Sequence, residues 1–158
     1  MFDQSSYQGE LGGILASIKK VNQWCNENKI LRGTCTLGCD NKGALNAAFG
    51  FKGPQPTWSS YDLVSMIRYQ IKTSPIRWKH RHVKGHADDH SNYELLDTWS
   101  QANVRADKLA KEALDSEDDY DESFLLPGEP WRLHHKKATI RGDFINTIRK
   151  REIGRAHV

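Results

Sequence analysis

The chain has 158 residues, which is enough for one domain with a buried core but leaves little room for a second. A hydrophobic content of 37% and a mean hydropathy of −0.72 are typical of a polar globular protein, and no apolar run approaches the roughly 20 residues of a membrane span. No signal peptide opens the chain, and its three cysteines cannot all pair with one another. We therefore expect an intracellular protein, in the cytoplasm or nucleus, without a membrane partner.

Charge is distributed unevenly along the chain. The formal net charge is +3, yet residues 115–122 hold six acidic residues and no base, whereas the segments before and after this run are net basic. A chain that is basic outside one acidic run suits a polyanionic partner such as nucleic acid. Many proteins without such a partner share this pattern, so charge alone does not decide the function.

The first half of the chain predicts a helix, a strand and a second helix. Apolar residues recur at helical spacing between residues 7 and 29 and predict the first helix. Residues 33–40, GTCTLGCD, predict a strand that ends at Asp40, and residues 41–49 predict a short helix. Residues 50–57 contain two prolines and predict a loop.

The second half repeats this alternation. We predict a helix over residues 59–73, a strand over 76–84, a loop over 85–92 and a long helix over 94–114 with Ala106 and Leu109 facing the core. Strands that alternate with helices indicate parallel pairing and an α/β fold. Two strands are too few for a stable sheet, so we expect the sheet to lack a part.

The remaining residues form three predicted segments. Residues 115–124 are predicted to be an acidic linker, and residues 125–152 a basic C-terminal extension with a helix over 138–152. The last six residues, IGRAHV at 153–158, resemble the translation of a sequencing-library adapter. We exclude them from the fold as a scar.

Four residues have the chemistry and the predicted positions of a phosphodiester-cleaving site. Asp40 ends a strand, where ligands of open α/β sheets collect, and Glu10 lies near the start of the first helix. Asp107 lies within the last helix, and His86 lies on the loop after the second strand. Phosphodiester hydrolysis needs oxygen ligands for Mg²⁺, and two ions about 3.5–4 Å apart activate the water and stabilise the leaving oxygen.

Four sequence blocks carry a family resemblance. SSYQGEL, GCDNKGA, HVKGHADD and NVRADKLAKEAL, in this order between Ser5 and Leu114, resemble the type 1 ribonuclease H domains fused to retroelement reverse transcriptases. The resemblance implies a mixed central sheet with helices on both faces over residues 1–114. It also implies endonucleolytic hydrolysis of the RNA strand of RNA–DNA hybrids by a two-metal mechanism, with a covalently fused reverse transcriptase domain upstream.

The resemblance also implies a set of site residues. Glu10, Asp40 and Asp107 match three metal-binding carboxylates for Mg²⁺, with Mn²⁺ as an alternative, and His86 matches the mobile histidine that assists proton transfer or product release. We expect further contacts to the substrate, including those to the RNA 2′-hydroxyl, from polar residues around the site. These residues are Ser6, Asn41, Lys84 and Asn103.

This sequence departs from the family pattern at three places. The family's fourth carboxylate, an Asp-Gly on the first strand, has no match among the nine residues before Glu10, so we expect a domain that lacks its first three-strand meander. We expect this chain alone to be inactive and poorly stable. The loop from His86 to Asp107 is longer than is usual in the family. Residues 50–60 contain only Lys52 as a base, so the basic segment with which some family members bind the hybrid is missing.

Several alternatives remain open at this point. The chain is also consistent with a non-catalytic nucleic-acid-binding remnant of the same fold, and less well with a recombinase or integrase. A zinc site built from Cys35, Cys39 and nearby histidines is disfavoured, because both cysteines fit a strand as small buried hydrophobes. The basic residues around the second strand fit a phosphate track and a solvated edge equally well, whereas Trp78 and Trp99 are predicted in the core. These basic residues are Arg77, Lys79, Arg81 and Lys84.

Overall fold

The computed structural model describes the backbone of residues 6–115 and of two short segments, Leu133–His135 and Ala138–Ile140, and describes side chains from Tyr7 to Glu112. The helices are α1 (Ser6–Glu27), α2 (Lys42–Phe49), α3 (Tyr61–Lys72) and α4 (Thr98–Asp115), and two short 3₁₀ turns span Ala87–Asp89 and Tyr93–Leu95. The strands are β1 (Thr34–Cys39), β2 (Arg77–His82), β3 (Leu133–His135) and β4 (Ala138–Ile140). The predicted order of elements is confirmed as far as α4.

Strands β1 and β2 form a two-stranded parallel sheet, in register from Thr34 opposite Arg77 to Cys39 opposite His82. The connection between them runs through α2 and α3, as parallel neighbours require a long crossover. The predicted α/β class is therefore confirmed. Within the described residues no third strand pairs with β1 or β2, and the mixed sheet that the family resemblance implies stays a prediction.

The hydrophobic core lies between one face of this sheet and helices α1, α2 and α3. Successive side chains of a strand point to opposite faces, and Leu37 and Cys39 of β1 both point into this core. Leu11, Ile18 and Ile67 are fully buried there, and each such side chain contributes about 1.5–3 kcal/mol of hydrophobic stabilisation. Trp78 packs against the same cluster, as predicted.

A buried polar group ties α1 to the end of α3 and the start of β2. The side chain of Asn22 is only 6% exposed, and its Oδ1 accepts hydrogen bonds from Ser74 Oγ at 2.6 Å and from Trp78 Nε1 at 3.3 Å. Its Nδ2 donates to the Gln70 main-chain oxygen at 3.0 Å. Because a buried amide is costly unless it is hydrogen-bonded, this network fixes the three elements at one mutual position.

Helix α4 packs on the opposite face of the sheet through Trp99. Gly38 points away from the core, and a Cβ at this position would lie 2.8 Å from Trp99 Cε3. The Arg81 guanidinium lies over the same indole, 5.2 Å from the ring centroid. Trp99 therefore packs on the outer face of the sheet and is not part of the core in which it was predicted. Helices cover both faces of the sheet.

The prediction that Ala106 and Leu109 face the core is wrong. Ala106 is exposed and Leu109 is 55% exposed, because α4 turns the face with Trp99 and Asn103 toward the sheet. Helix α4 also begins four residues later than predicted. Asp97 Oδ1 accepts hydrogen bonds from the backbone N–H groups of Trp99 and Ser100, both at 2.9 Å, and caps the helix there.

The C-terminal prediction also needs correction. Ala138–Ile140 was expected to begin a basic helix but is a strand, β4, paired antiparallel with β3. Thr139 and Ile140 are β-branched, and only two residues separate the strands, which is a common hairpin length. Apart from Asp115, the predicted acidic linker and residues 153–158 lie outside the described residues. No helix in the described part of the chain is long and apolar enough to cross a membrane.

Candidate metal centre

Two of the predicted carboxylates meet at the carboxyl end of the parallel strands. Asp40 directly follows β1, and Glu10 lies just past the first turn of α1, whose rotation is fixed by the fully buried Leu11. The helix begins one residue earlier than predicted, so Glu10 is its fifth residue rather than its fourth. The Glu10 and Asp40 carboxylates are both partly buried and lie together beside the Cys39 thiol.

Cys39 is the site residue that the sequence analysis missed. One ligand atom from each of Glu10, Cys39 and Asp40 lies within 4.8 Å of the others, and among the described residues no other three ligand-bearing side chains come this close. The Cys39 thiol donates a hydrogen bond to Glu10 Oε2 at 3.4 Å and accepts one from the Asn41 backbone N–H at 3.4 Å. The alternation of β1 places Cys39 on the α1 side, and this was the available signal.

Asp40 is held by three neighbouring groups. Asn103 Nδ2 of α4 donates to Asp40 Oδ2 at 3.3 Å, and His82 Nε2 donates to the Asp40 main-chain oxygen at 3.0 Å. Gly85 lies so close that a Cβ there would be 2.6 Å from Asp40 Oδ2. Only glycine permits this approach between the loop after β2 and the carboxylate.

Asp107 and His86 form a second part of the site. Burial raises the pKa of Asp107, and the negative charges of Asp40 and Asp88 add to this, whereas the positive charges of His86 and Lys111 oppose it. Asp107 is therefore close enough to Asp40 and His86 for their charges to interact, although it lies outside the group of three ligand atoms. His86 is exposed and has a left-handed backbone with φ of 51°.

The electrostatics of the site favour a bound cation. Burial raises the pKa of Glu10, the hydrogen bond from Cys39 lowers it, and the charges of Asp40 and Asp107 raise it further. Burial also raises the pKa of the Cys39 thiol to about 12, and the neighbouring carboxylates contribute. Several negative groups that share a partly buried site destabilise one another, and a divalent cation relieves this repulsion.

The four predicted substrate contacts have different surroundings. Ser6 begins α1, and its side chain is not among those described. Asn41 Oδ1 accepts a hydrogen bond from Ala44 N at 3.0 Å and caps α2, while Asn103 holds Asp40. Lys84 is exposed on the loop after β2. Their contacts with a substrate stay predictions.

The basic residues of β2 lie on the same sheet face as Trp99. Arg77, Lys79 and Arg81 alternate along this face and are exposed, whereas Trp78 and His80 alternate with them on the other face. His80 stacks on Phe49, with ring centroids 4.9 Å apart. The outer face of β2 is therefore a row of cations.

Comparisons with known proteins identify no relative. No family model matches the chain, and no match is found among curated proteins or solved structures. The resemblance to the ribonuclease H family therefore stays a prediction from the four sequence blocks.

Proposed function

We propose that this chain carries the metal-binding part of a ribonuclease H-type domain that hydrolyses the RNA strand of RNA–DNA hybrids, within a retroelement reverse transcriptase polyprotein. The observation that carries the proposal is the convergence of Glu10 of α1 and Asp40, the residue after β1, at the carboxyl end of the parallel strands. Asp107 of α4 lies within charge interaction of Asp40. Three carboxylates from three separate elements have no role in the hydrophobic core. Phosphoryl chemistry with divalent metals requires such a set.

The donor set fits Mg²⁺, with Mn²⁺ as an alternative. Both are hard cations that prefer carboxylate oxygens, and Glu10 and Asp40 present theirs within one group. Glu10, Asp40 and Asp107 would hold the ions, whose chemistry would be the activation of a water molecule and the stabilisation of the leaving oxygen of the phosphodiester. Asp107 provides a third carboxylate, whose negative charge interacts with that of Asp40.

The other residues of the site position these carboxylates and move protons. Asn103 and Gly85 restrict the Asp40 carboxylate, so that it stays in place for a ligand. His86 is exposed and within charge interaction of Asp107, where its imidazole would transfer protons during hydrolysis. Lys84 and the side-chain amide of Asn41 lie on the loops beside the strand ends, where a hybrid would approach.

Two uncovered surfaces support a catalytic unit larger than the described part. Strand β1 pairs only with β2 there, which leaves its other edge open, and open edges are normally paired or covered. Leu109 of α4 and Leu95 are 55% and 82% exposed. We propose that further strands pair with β1, cover α4 and supply the fourth carboxylate, and that a reverse transcriptase domain precedes them.

The alternative function is nucleic-acid binding without cleavage. One observation favours it: Arg77 and Lys79 form an exposed basic row that does not depend on the carboxylates. Such a row neutralises backbone phosphates whether or not the carboxylates hold metal.

The first measurement is Mn²⁺ binding to the 158-residue chain, monitored by calorimetry or electron paramagnetic resonance. We expect binding that is lost in Asp40→Asn and kept in Asp89→Asn, a matched change at an exposed acid in the 3₁₀ turn after β2. A chain that does not bind Mn²⁺, or an Asp40→Asn variant that binds it unchanged, contradicts the metal site. A chain that binds hybrid but not Mn²⁺ supports the alternative.

The second measurement is cleavage of an RNA–DNA hybrid with Mg²⁺. We expect cleavage from a longer polypeptide that includes the additional strands, abolished by Asp40→Asn while hybrid binding persists. We expect none from the 158-residue chain. Robust cleavage by this chain alone would contradict the need for further strands but not the nuclease assignment.

A further inference from the structure

Cys39 is the one member of the site that the proposed nuclease mechanism does not use. Its side chain is 5% exposed, and its sulfur faces the two carboxylates, with Glu10 Oε2 at 3.4 Å. Ligand atoms of Glu10, Cys39 and Asp40 all lie within 4.8 Å of one another. The sulfur therefore belongs to a mixed group of ligands from two elements, α1 and the end of β1, and is held there by the core.

The spacing of these atoms suits tetrahedral coordination. With bonds of about 2.3 Å to sulfur and 2.0–2.2 Å to oxygen, tetrahedral ligand atoms lie roughly 3.3–3.7 Å apart. The sulfur of Cys39 and Glu10 Oε2 already have this separation, at 3.4 Å. Asp40 directly follows Cys39, and its carboxylate is the third member of the group within 4.8 Å. Three protein ligands leave a fourth position for water, as in open zinc sites.

We infer that Glu10, Cys39 and Asp40 form a binding site for a thiophilic divalent cation of the Zn²⁺ or Cd²⁺ type. Binding breaks the S–H bond, forms a metal–sulfur bond and releases one proton to solvent, without any change of oxidation state. Mg²⁺ prefers an octahedral set of oxygen atoms and gains nothing from the sulfur, whereas a thiophilic cation does. The thiol therefore makes the site selective for the softer ion.

This site has a consequence that rests on the proposed nuclease function. A Zn²⁺ or Cd²⁺ ion at Cys39 takes two of the carboxylates that Mg²⁺ would use, so the softer cation inhibits cleavage by competition. Coordination of the softer cation itself needs no nuclease activity, and the two claims are tested separately.

Cys35 supplies a matched control. It lies four residues before Cys39 on β1 and points to the same face of the sheet. Cys35 takes no part in the group of ligand atoms. Both cysteines are free thiols, so the same substitution by serine removes the sulfur inside the proposed site or outside it.

The experiment uses the whole 158-residue chain with Co²⁺ as the spectroscopic probe and Zn²⁺ in competition with a chelating dye. We expect a sulfur-to-cobalt charge-transfer band in the wild type and in Cys35→Ser, and its loss in Cys39→Ser. The dissociation constant for Zn²⁺ should rise more than about tenfold in Cys39→Ser and in Glu10→Gln, since even outer-shell changes weaken metal binding 10–100-fold. Circular dichroism checks that each variant is folded.

A band that is absent from the wild type, or that persists in folded Cys39→Ser, overturns the inference. If Cys39→Ser does not fold, Glu10→Gln decides, because it keeps the thiol and changes a partly exposed side chain; unchanged Zn²⁺ affinity then overturns the inference. Failure of the nuclease proposal looks different, with the cobalt band intact but no Mn²⁺ binding and no cleavage. Cleavage without any cobalt band refutes the thiophilic site alone.

Discussion

Replacing Gly38 by alanine tests how α4 is attached to the sheet. An added Cβ would lie 2.8 Å from Trp99 Cε3, 2.9 Å from Cζ3 and 3.0 Å from a methyl group of Val83. Carbon atoms attract at about 3.5–4.0 Å, so the indole must retreat by roughly 0.7 Å or more. The rigid ring cannot fold aside as a flexible side chain would, and the helix must move with it.

The expected magnitude follows from two opposing effects. Glycine-to-alanine changes stabilise by about 0.4–1 kcal/mol by restricting the unfolded chain, if the backbone accepts the new residue. Inserting a methyl group into a close contact costs about 1–3 kcal/mol. Displacing Trp99 also weakens its contact with the Arg81 guanidinium, which is worth about 0.5–1 kcal/mol at an exposed site. We expect Gly38→Ala to destabilise the protein by roughly 1–2 kcal/mol net.

The assay is urea unfolding followed by far-ultraviolet circular dichroism, with Gly13→Ala as the control. Gly13 lies within α1, where an added Cβ meets no atom within 4 Å, so this change should stabilise the helix by about 0.5–1 kcal/mol. The two substitutions are chemically identical and should act in opposite directions. If Gly38→Ala is as stable as Gly13→Ala, the contact between Trp99 and the sheet does not hold α4.

Four further predictions concern the network, the helix cap and the site. Asn22→Ala leaves the Ser74 hydroxyl without its acceptor and the Gln70 main-chain oxygen without the Asn22 donor, while Trp78 Nε1 keeps Ser74 Oγ at 2.9 Å. It should cost about 1–3 kcal/mol of unfolding free energy in urea. Backbone hydrogen bonds, above all the one from Ser100, hold the pKa of Asp97 below its ordinary value of 3.8. The Asp97 cap therefore stabilises the fold above pH 3.8, and this stabilisation is lost as the pH falls through the lower pKa of Asp97 in the folded state. Glu10→Gln should raise the melting temperature at neutral pH without divalent cations, because burial disfavours the charged form in the folded state. Gly85→Ala should weaken Mn²⁺ binding by displacing the Asp40 carboxylate, with little change in the melting temperature.

Each of these predictions has a control and a contrary outcome. Asn26→Ala changes an exposed amide on the same helix and should be nearly neutral, so equal costs at both positions would contradict the buried network. Asp97→Asn keeps an oxygen that can cap α4 but cannot titrate, and its acid stability profile should be flatter than that of the wild type. Equal melting temperatures for Glu10→Gln and wild type at neutral pH, or equal Mn²⁺ affinity for Gly85→Ala, would contradict the described site.

The sequence predicted the elements well where hydrophobic periodicity was strong. Helices α1 and α3 bury the residues that recur at helical spacing, including Leu11 and Ile67. The start of α4 was misplaced because its pattern continues through Tyr93–Leu95, while the Asp97 cap decides where the helix begins. A periodic pattern also cannot say what packs against it, and so Leu109 was expected in the core.

The candidate site shows the same division between local pattern and spatial proximity. Glu10 and Asp40 were predicted from their positions near a helix start and a strand end, and the structure brings their carboxylates together. Cys39 was assigned to the core because cysteine is commonly a small buried hydrophobe, and it is indeed 5% exposed. Its burial does not reveal the carboxylate on the other side of the sulfur, because that contact joins residues 29 positions apart.

The attachment of α4 links the stability of the fold to the chemistry of the site. This helix carries Asn103, which donates a hydrogen bond to Asp40, and Asp107, whose negative charge repels that of Asp40. The helix docks on the sheet through the contact of Trp99 with Gly38. The negative charges of Asp40 and Asp107 repel one another and so oppose the docking of α4, and the proposed cation near both carboxylates would reduce this repulsion. The proposed cation binding and the docking of α4 would therefore be thermodynamically coupled, since whatever binds the docked state preferentially also stabilises it. Gly38→Ala should consequently lower the affinity for Mn²⁺ although the substituted residue touches no proposed ligand.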